Sequence, residues 1–149
     1  MASLDLSIQD RLFPHLLCFG CGPANSQGLR LKSYATDEGV IADFLPVPHL
    51  DNGGGVLNGG IITTLLDCHG GAAVMHRAEI EDGTAGVWVT AAIDVRFIRP
   101  IPLDQVCRLT ADITSRDEWE MSVTTRIHVG EKVGAAATAR WVMPRASRG

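Results

Sequence analysis

At 149 residues the chain is expected to form one domain, long enough to bury roughly 70% of the surface its unfolded form would expose. An apolar fraction of 46%, a charged fraction of 20% and a net charge of -4 without any basic block suit an ordinary water-soluble protein and exclude nucleic acid as a partner. Residues 1–10 have neither a cationic stretch nor an apolar core, so no secretory leader is expected and the location reads as cytoplasmic.

In chain order, residues 1–27 read as a loop-rich N-terminal segment and residues 28–149 as the domain proper. Cys18-Phe19-Gly20-Cys21 has metal or redox spacing, but a structural zinc needs two more ligands. His15 is near, yet no second pair follows. Pro23, Asn25, Ser26 and Gly28 come at once, which is loop chemistry, so a structured loop without metal is expected. Cys68 and Cys107 lie in apolar surroundings and read as small buried hydrophobes. Residues 28–34 and 40–44 alternate around the turn Thr36-Asp37-Glu38-Gly39, which predicts a hairpin. Pro46, Pro48 and the glycines at 53, 54 and 55 make a loop into the longest apolar run.

That run is predicted to be a helix from about Gly59 to about Arg77, buried on nearly all sides. Asp67, His69 and four glycines interrupt it, which argues against a membrane span. A carboxylate halfway along a buried helix is costly unless it is paired or put to use. The Gly59-Gly60 start bares backbone N–H groups where a helix receives negative charge. Asp67 shares its face with Thr63, Gly70 and Gly71, small neighbours that leave room for a substrate or a partner subunit. His69 lies about 200° round the helix from that face and reads as a core or interface histidine, and His76 as a solvated helix-end residue.

Four strands follow. The first, 87–98, is expected to put Val87, Val89, Ala91, Ile93, Val95 and Phe97 on one face. In the next, Cys107, Leu109, Ala111 and Ile113 alternate with polar residues. The third carries Trp119, Met121, Val123 and Ile127, and residues 133–143 form the last. Short turns imply a mainly antiparallel sheet with one apolar face, wrapped around the helix.

The order hairpin, long helix, four strands resembles the hotdog fold, an α+β architecture with an antiparallel sheet around one central helix. The Gly-Gly pair with Asp eight residues after its first glycine resembles acyl-CoA thioesterases of the PaaI type. So do Cys18-Phe19-Gly20-Cys21-Gly22-Pro23-Ala24-Asn25, Gly28-Leu29 and Leu66-Asp67-Cys68-His69. The resemblance covers about residues 18–144. It implies hydrolysis of acyl-CoA thioesters at a site between two subunits of a homodimer or dimer-of-dimers tetramer, with coenzyme A as part of the substrate and no separate cofactor or membrane partner.

Residue by residue, the resemblance places the helix carboxylate at Asp67, as general base on water or as nucleophile on the thioester carbonyl, and the carbonyl-polarising N–H at Gly59. It places a water-holding amide at Asn52 and a strand hydroxyl at Thr90. Where the family commonly has His before the Gly pair, this chain has Asn58, which can hydrogen-bond but carries no proton. Gly60 and Thr63 are further candidate substrate contacts. Arg99, Arg116 and Arg145, at strand ends, are candidates for the coenzyme A phosphates. Two alternatives stand beside hydrolysis: a hotdog hydratase or dehydratase, which would want the histidine that Asn58 replaces, and a non-enzymatic acyl-CoA-binding module, which would not need Asp67.

Overall fold

The computed structural model describes residues 6–149; the first five residues of the N-terminal stretch read above lie outside it. Its elements in chain order are α1 (Ile8–Leu12), β1 (Tyr34–Thr36), β2 (Gly39–Phe44), α2 (Gly59–Asp82), β3 (Val89–Phe97), β4 (Cys107–Arg116), β5 (Glu120–Val129) and β6 (Lys132–Val142). One six-stranded sheet runs β1-β2-β4-β5-β6-β3, every neighbouring pair antiparallel. Its concave face closes on α2, so this is the helix-wrapped α+β architecture expected. Among the described residues no helix is long and apolar enough to cross a membrane.

The short α1 was not expected in the loop-rich start. Ser7 caps it by accepting from the Asp10 backbone N–H at 2.9 Å, and Ile8 is buried against the second half of α2. The predicted first strand is also shorter than its alternation suggests. Residues 28–33 form no strand: Arg30 takes φ 55°, and Leu29 and Leu31 donate to the Phe19 and Gly20 carbonyls rather than to a sheet neighbour. Only Tyr34–Thr36 joins the ladder. The cysteine loop takes the place of a strand.

Helix α2 begins where predicted and runs five residues beyond Arg77. Its polar last turn looks like a linker in sequence, yet it is tied down on three sides. Arg77 pairs with Glu81 at 3.3 Å, Arg11 with Glu79 at 2.7 Å, and Arg116 with Asp82 at 2.5 Å. Gly83, at φ 80°, then ends the helix in the left-handed conformation that glycine takes without strain.

Of the small neighbours expected to leave room beside Asp67, Gly70 is covered by the sheet, a Cβ there standing 3.2 Å from Val123. A Cβ at Gly71 would stand 2.5 Å from the Trp141 ring, and both Gly71 and Trp141 line the cavity beside Asp67. These glycines let α2 settle onto β5 and β6.

The strand β3 departs most from expectation. Its pairing with β6 slips between Thr90 and Ala92, a bulge that inserts Ala91. On the C-terminal side Ile93 and Val95 pack on the core, as predicted. On the N-terminal side the faces are exchanged: Trp88 is buried and Thr90 turns inward opposite Trp141, while Val87 and Val89 are 53% and 45% exposed.

Candidate active site

Asp67 lies in the middle of α2, its side chain half-buried and turned towards the bulged end of β3. There the Thr90 hydroxyl donates to its Oδ1 at 2.7 Å. Burial raises the Asp67 carboxyl above the usual carboxylate range; the Thr90 bond opposes that shift and the nearby Cys18 sulfur adds to it. A cavity of about 280 Å³ opens beside the carboxylate, lined by Asp67, Thr90, Trp88, Trp141, Met75 and Phe13 among others, so it is mainly apolar with few polar groups. With Oδ1 held by Thr90, Oδ2 is the atom free to address a water or a substrate.

The N-terminus of α2 presents the other half of the expected chemistry. Asn58 is its N-cap: Oδ1 accepts from the Gly60 and Ile61 N–H groups at 2.7 and 3.2 Å, and its carbonyl accepts from Ile62. Of the first four helix N–H groups, only that of Gly59 lacks a partner among the described residues. The sequence suggested two bare N–H groups; Asn58 satisfies the second, so Gly60 contributes a bare Cα and not a donor. The Thr63 hydroxyl is likewise committed, donating to the Gly59 carbonyl at 2.9 Å.

Asn52 sits in the exposed loop before the helix. Its Oδ1 accepts from the Gly54 N–H at 2.6 Å and its N–H donates to the Val56 carbonyl, so its amide NH₂ faces outward from a tight turn. At 1.5 Å per residue, eight residues separate Gly59 from Asp67 by about 12 Å along the axis. Within one chain the structure therefore unites Asp67 with Thr90, and gathers Asn52, Asn58 and Gly59 at a second place. One thioester carbonyl cannot meet both.

The three arginines are dispersed. Arg99 follows β3 at the helix-start end, largely exposed, with one N–H bonded to the Val133 carbonyl. Arg116 is committed to Asp82 and Glu81 at the far end of α2, and Arg145 lies in the C-terminal turn. His69 is the core histidine expected: its Nδ1 meets the Ser33 hydroxyl at 2.8 Å and its Nε2 donates to the Val40 carbonyl at 3.0 Å. Burial lowers its pKa to about 4. His76 is a correction; it is half-buried, with Nδ1 unpartnered and its pKa lowered by burial, and not a solvated end residue.

Sequence reasoning missed one cluster. Cys68 is not an isolated hydrophobe: its sulfur lies 3.8 Å from that of Cys18, and Cys18, Cys21 and Cys68 all fall within 4.8 Å of one another beside the Asp67 cavity. The Cys68 thiol, followed by the backbone N–H groups of Cys21 and Gly20, lowers the Cys18 pKa to about 5 against the opposing effect of burial. Nothing in the sequence links position 68 to the CxxC pair; only the fold does.

Comparison with known proteins identifies the family and the fold. The profile of the thioesterase superfamily matches residues 54–135, which include α2, Asp67 and Thr90. A thioesterase superfamily protein from Shewanella loihica PV-4 superposes with a TM-score of 0.66 at 27% identity, covering 82% of this chain and 97% of its own. A protein from Bacillus halodurans, solved with CoA, shares the fold with a TM-score of 0.65 at 21% identity, over 76% of this chain and 71% of that one. Verlamelin biosynthesis protein B from a Lecanicillium species is 28% identical over 60% of this chain; the chain spans about half that relative's length.

Proposed function

Because the chain belongs to the thioesterase superfamily, we propose that it hydrolyses acyl-CoA thioesters in the manner of the PaaI type, with Asp67 as the general base. The observation that carries this reading is the Thr90-held carboxylate of Asp67 facing an apolar cavity. In the proposed step Asp67 Oδ2 takes a proton from a water whose oxygen attacks the thioester carbonyl. The oxyanion is met by a Gly59 N–H backed by the helix dipole, a contribution often worth about 3–4 kcal/mol. The carbon–sulfur bond then breaks, and the coenzyme A thiolate leaves and picks up a proton. Asn52 steadies the water, Asn58 braces the oxyanion loop, and Arg99, at the helix-start end, is the arginine placed to meet phosphate. The CoA bound to the Bacillus halodurans neighbour supports a ligand of that class.

The 12 Å between Gly59 and Asp67 makes a second copy part of the proposal. β3 is an edge strand, and near its ends Val87, Val89, Phe97 and Ile98 are 53%, 45%, 59% and 51% exposed. A long apolar edge of this kind calls for a covering strand. Antiparallel pairing of β3 with its copy about Ile93, its middle, sets Val89 of one chain opposite Phe97 of the other, with Thr90 the next residue along. The Phe97 ring stands 3.5 Å from where a Gly59 side chain would begin, and Thr90 holds Asp67. The pairing thus carries the acid of one chain towards the oxyanion donor of the other.

A panel of acyl-CoAs assayed with a thiol reagent tests the activity, with Asp67→Asn expected to lower turnover at least ~100-fold while the fold is retained. Release of no free thiol from any member of the panel, or a fully active Asp67→Asn, overturns the reading. A protein that is monomeric by light scattering yet fully active overturns the shared site.

A further inference from the structure

We propose that Cys18, Cys21 and Cys68 form a three-thiolate site for a zinc ion that pins the N-terminal loop to the middle of α2. Four ligands at the corners of a tetrahedron with Zn–S bonds of 2.3 Å stand about 3.8 Å apart. The Cys18 and Cys68 sulfurs are 3.8 Å apart, and all three sulfurs lie within 4.8 Å of one another. A disulfide would use two of these sulfurs and strand the third; one metal ion uses all three.

The surroundings are built to bring them together. Gly20, between the two loop cysteines, lies directly against Cys68, and a Cβ there would overlap the Cys68 sulfur and crowd Thr64 at 2.8 Å. The Gly22 N–H closes a tight turn onto the Cys18 carbonyl at 2.8 Å, folding the loop so that both of its sulfurs face the helix. Leu29 and Leu31 hold the loop from its other side. His15, the fourth ligand that sequence spacing offered, is not in the cluster. The three cysteines line the cavity that also contains Asp67, which leaves room for a water as the fourth ligand of a bound ion. The cysteines share a cavity with Asp67, but the test below reads metal retention and not turnover, so failure of either proposal is distinguishable from failure of the other.

To test it, the full-length protein is reduced, stripped with a chelator, given one equivalent of zinc, desalted and assayed for metal; a parallel sample receives cobalt(II). One ion retained per chain, a thiolate-to-cobalt charge-transfer band and a rise in Tm on zinc addition are expected. Cys68→Ser and Cys21→Ser each lose all three signals. Cys107→Ser, at a buried cysteine outside the cluster, keeps them. Where Cys68→Ser fails to fold, Cys21→Ser in the loop carries the same test. Zinc that washes out of the wild-type protein, or retention unchanged in Cys21→Ser, overturns the site.

Discussion

Replacing Thr90 by Val removes the one side-chain hydrogen bond that Asp67 receives among the described residues while keeping the shape of the residue. A hydrogen bond to a charged group is worth about 1.5–3 kcal/mol, and the half-buried setting of this one argues for the lower part of that range. At about 1.4 kcal/mol per factor of ten, kcat/KM should fall roughly ten- to thirtyfold. If Thr90 acts by fixing and stabilising the Asp67 carboxylate, its loss should matter only while that carboxylate is present. Placed on top of Asp67→Asn, Thr90→Val should therefore cost less than about threefold more. The four proteins of this cycle are compared in a continuous thiol-release assay on the best acyl-CoA, with thermal melts confirming equal folding. Fully multiplicative losses would show that Thr90 contacts the substrate independently and that the 2.7 Å bond is incidental.

Gly71→Ala places a methyl group against the Trp141 ring, so overpacking should cost about 1–3 kcal/mol, seen as a lower Tm or urea midpoint; an unchanged melt refutes the close approach. Asn58→Ala should lose about 1 kcal/mol of stability as the Gly60 and Ile61 N–H groups lose their cap, whereas Asn58→Asp keeps the cap. That aspartate also puts a charge where an oxyanion should form, so stability retained with activity lost is expected, and equal activity in Asn58→Asp and wild type counts against the Gly59 donor. Because folding lowers the His69 pKa from 6.5 to about 4, the unfolded chain binds the proton first as pH drops. Stability should then be full above pH 6.5 and fall by about 1.4 kcal/mol per pH unit towards 4, with His69→Gln showing the shallower slope in urea titrations at pH 7 and 5.

The parts of the fold read in advance were those that one periodicity decides. The run from Gly59 onward stays apolar past every strand length, β5 alternates along its length and β4 does so as far as the slip after Ile113, so the helix and the central sheet follow from side-chain spacing. Asp67 was visible because a carboxylate is out of place there. What could not be read depends on residues far apart in sequence. Glu79, Glu81 and Asp82 look like a linker until Arg11 arrives to pair with Glu79 and Arg116 with Glu81 and Asp82. Cys68 looks like core until the loop carrying Cys18 and Cys21 folds over it through Gly20. Ser33 and Val40, which fix His69, belong to segments that meet the helix only in the tertiary structure.

The bulge at Ala91 ties these observations to the chemistry. In an unbroken strand the apolar alternation from Val87 to Phe97 holds, Val87 and Val89 point into the core, and Thr90 points to solvent, away from Asp67. One inserted residue reverses the near half of the strand only. Thr90 then reaches the carboxylate, and Val87 and Val89 become exposed at one end of an edge strand whose other end exposes Phe97 and Ile98. The irregularity that orients the acid is thus also the one that extends the apolar edge on which the proposed second copy pairs. The proposed catalytic geometry and the proposed pairing of copies would then be coupled through a single backbone slip, and an alternation count, which assumes an unbroken ladder, carries no sign of it.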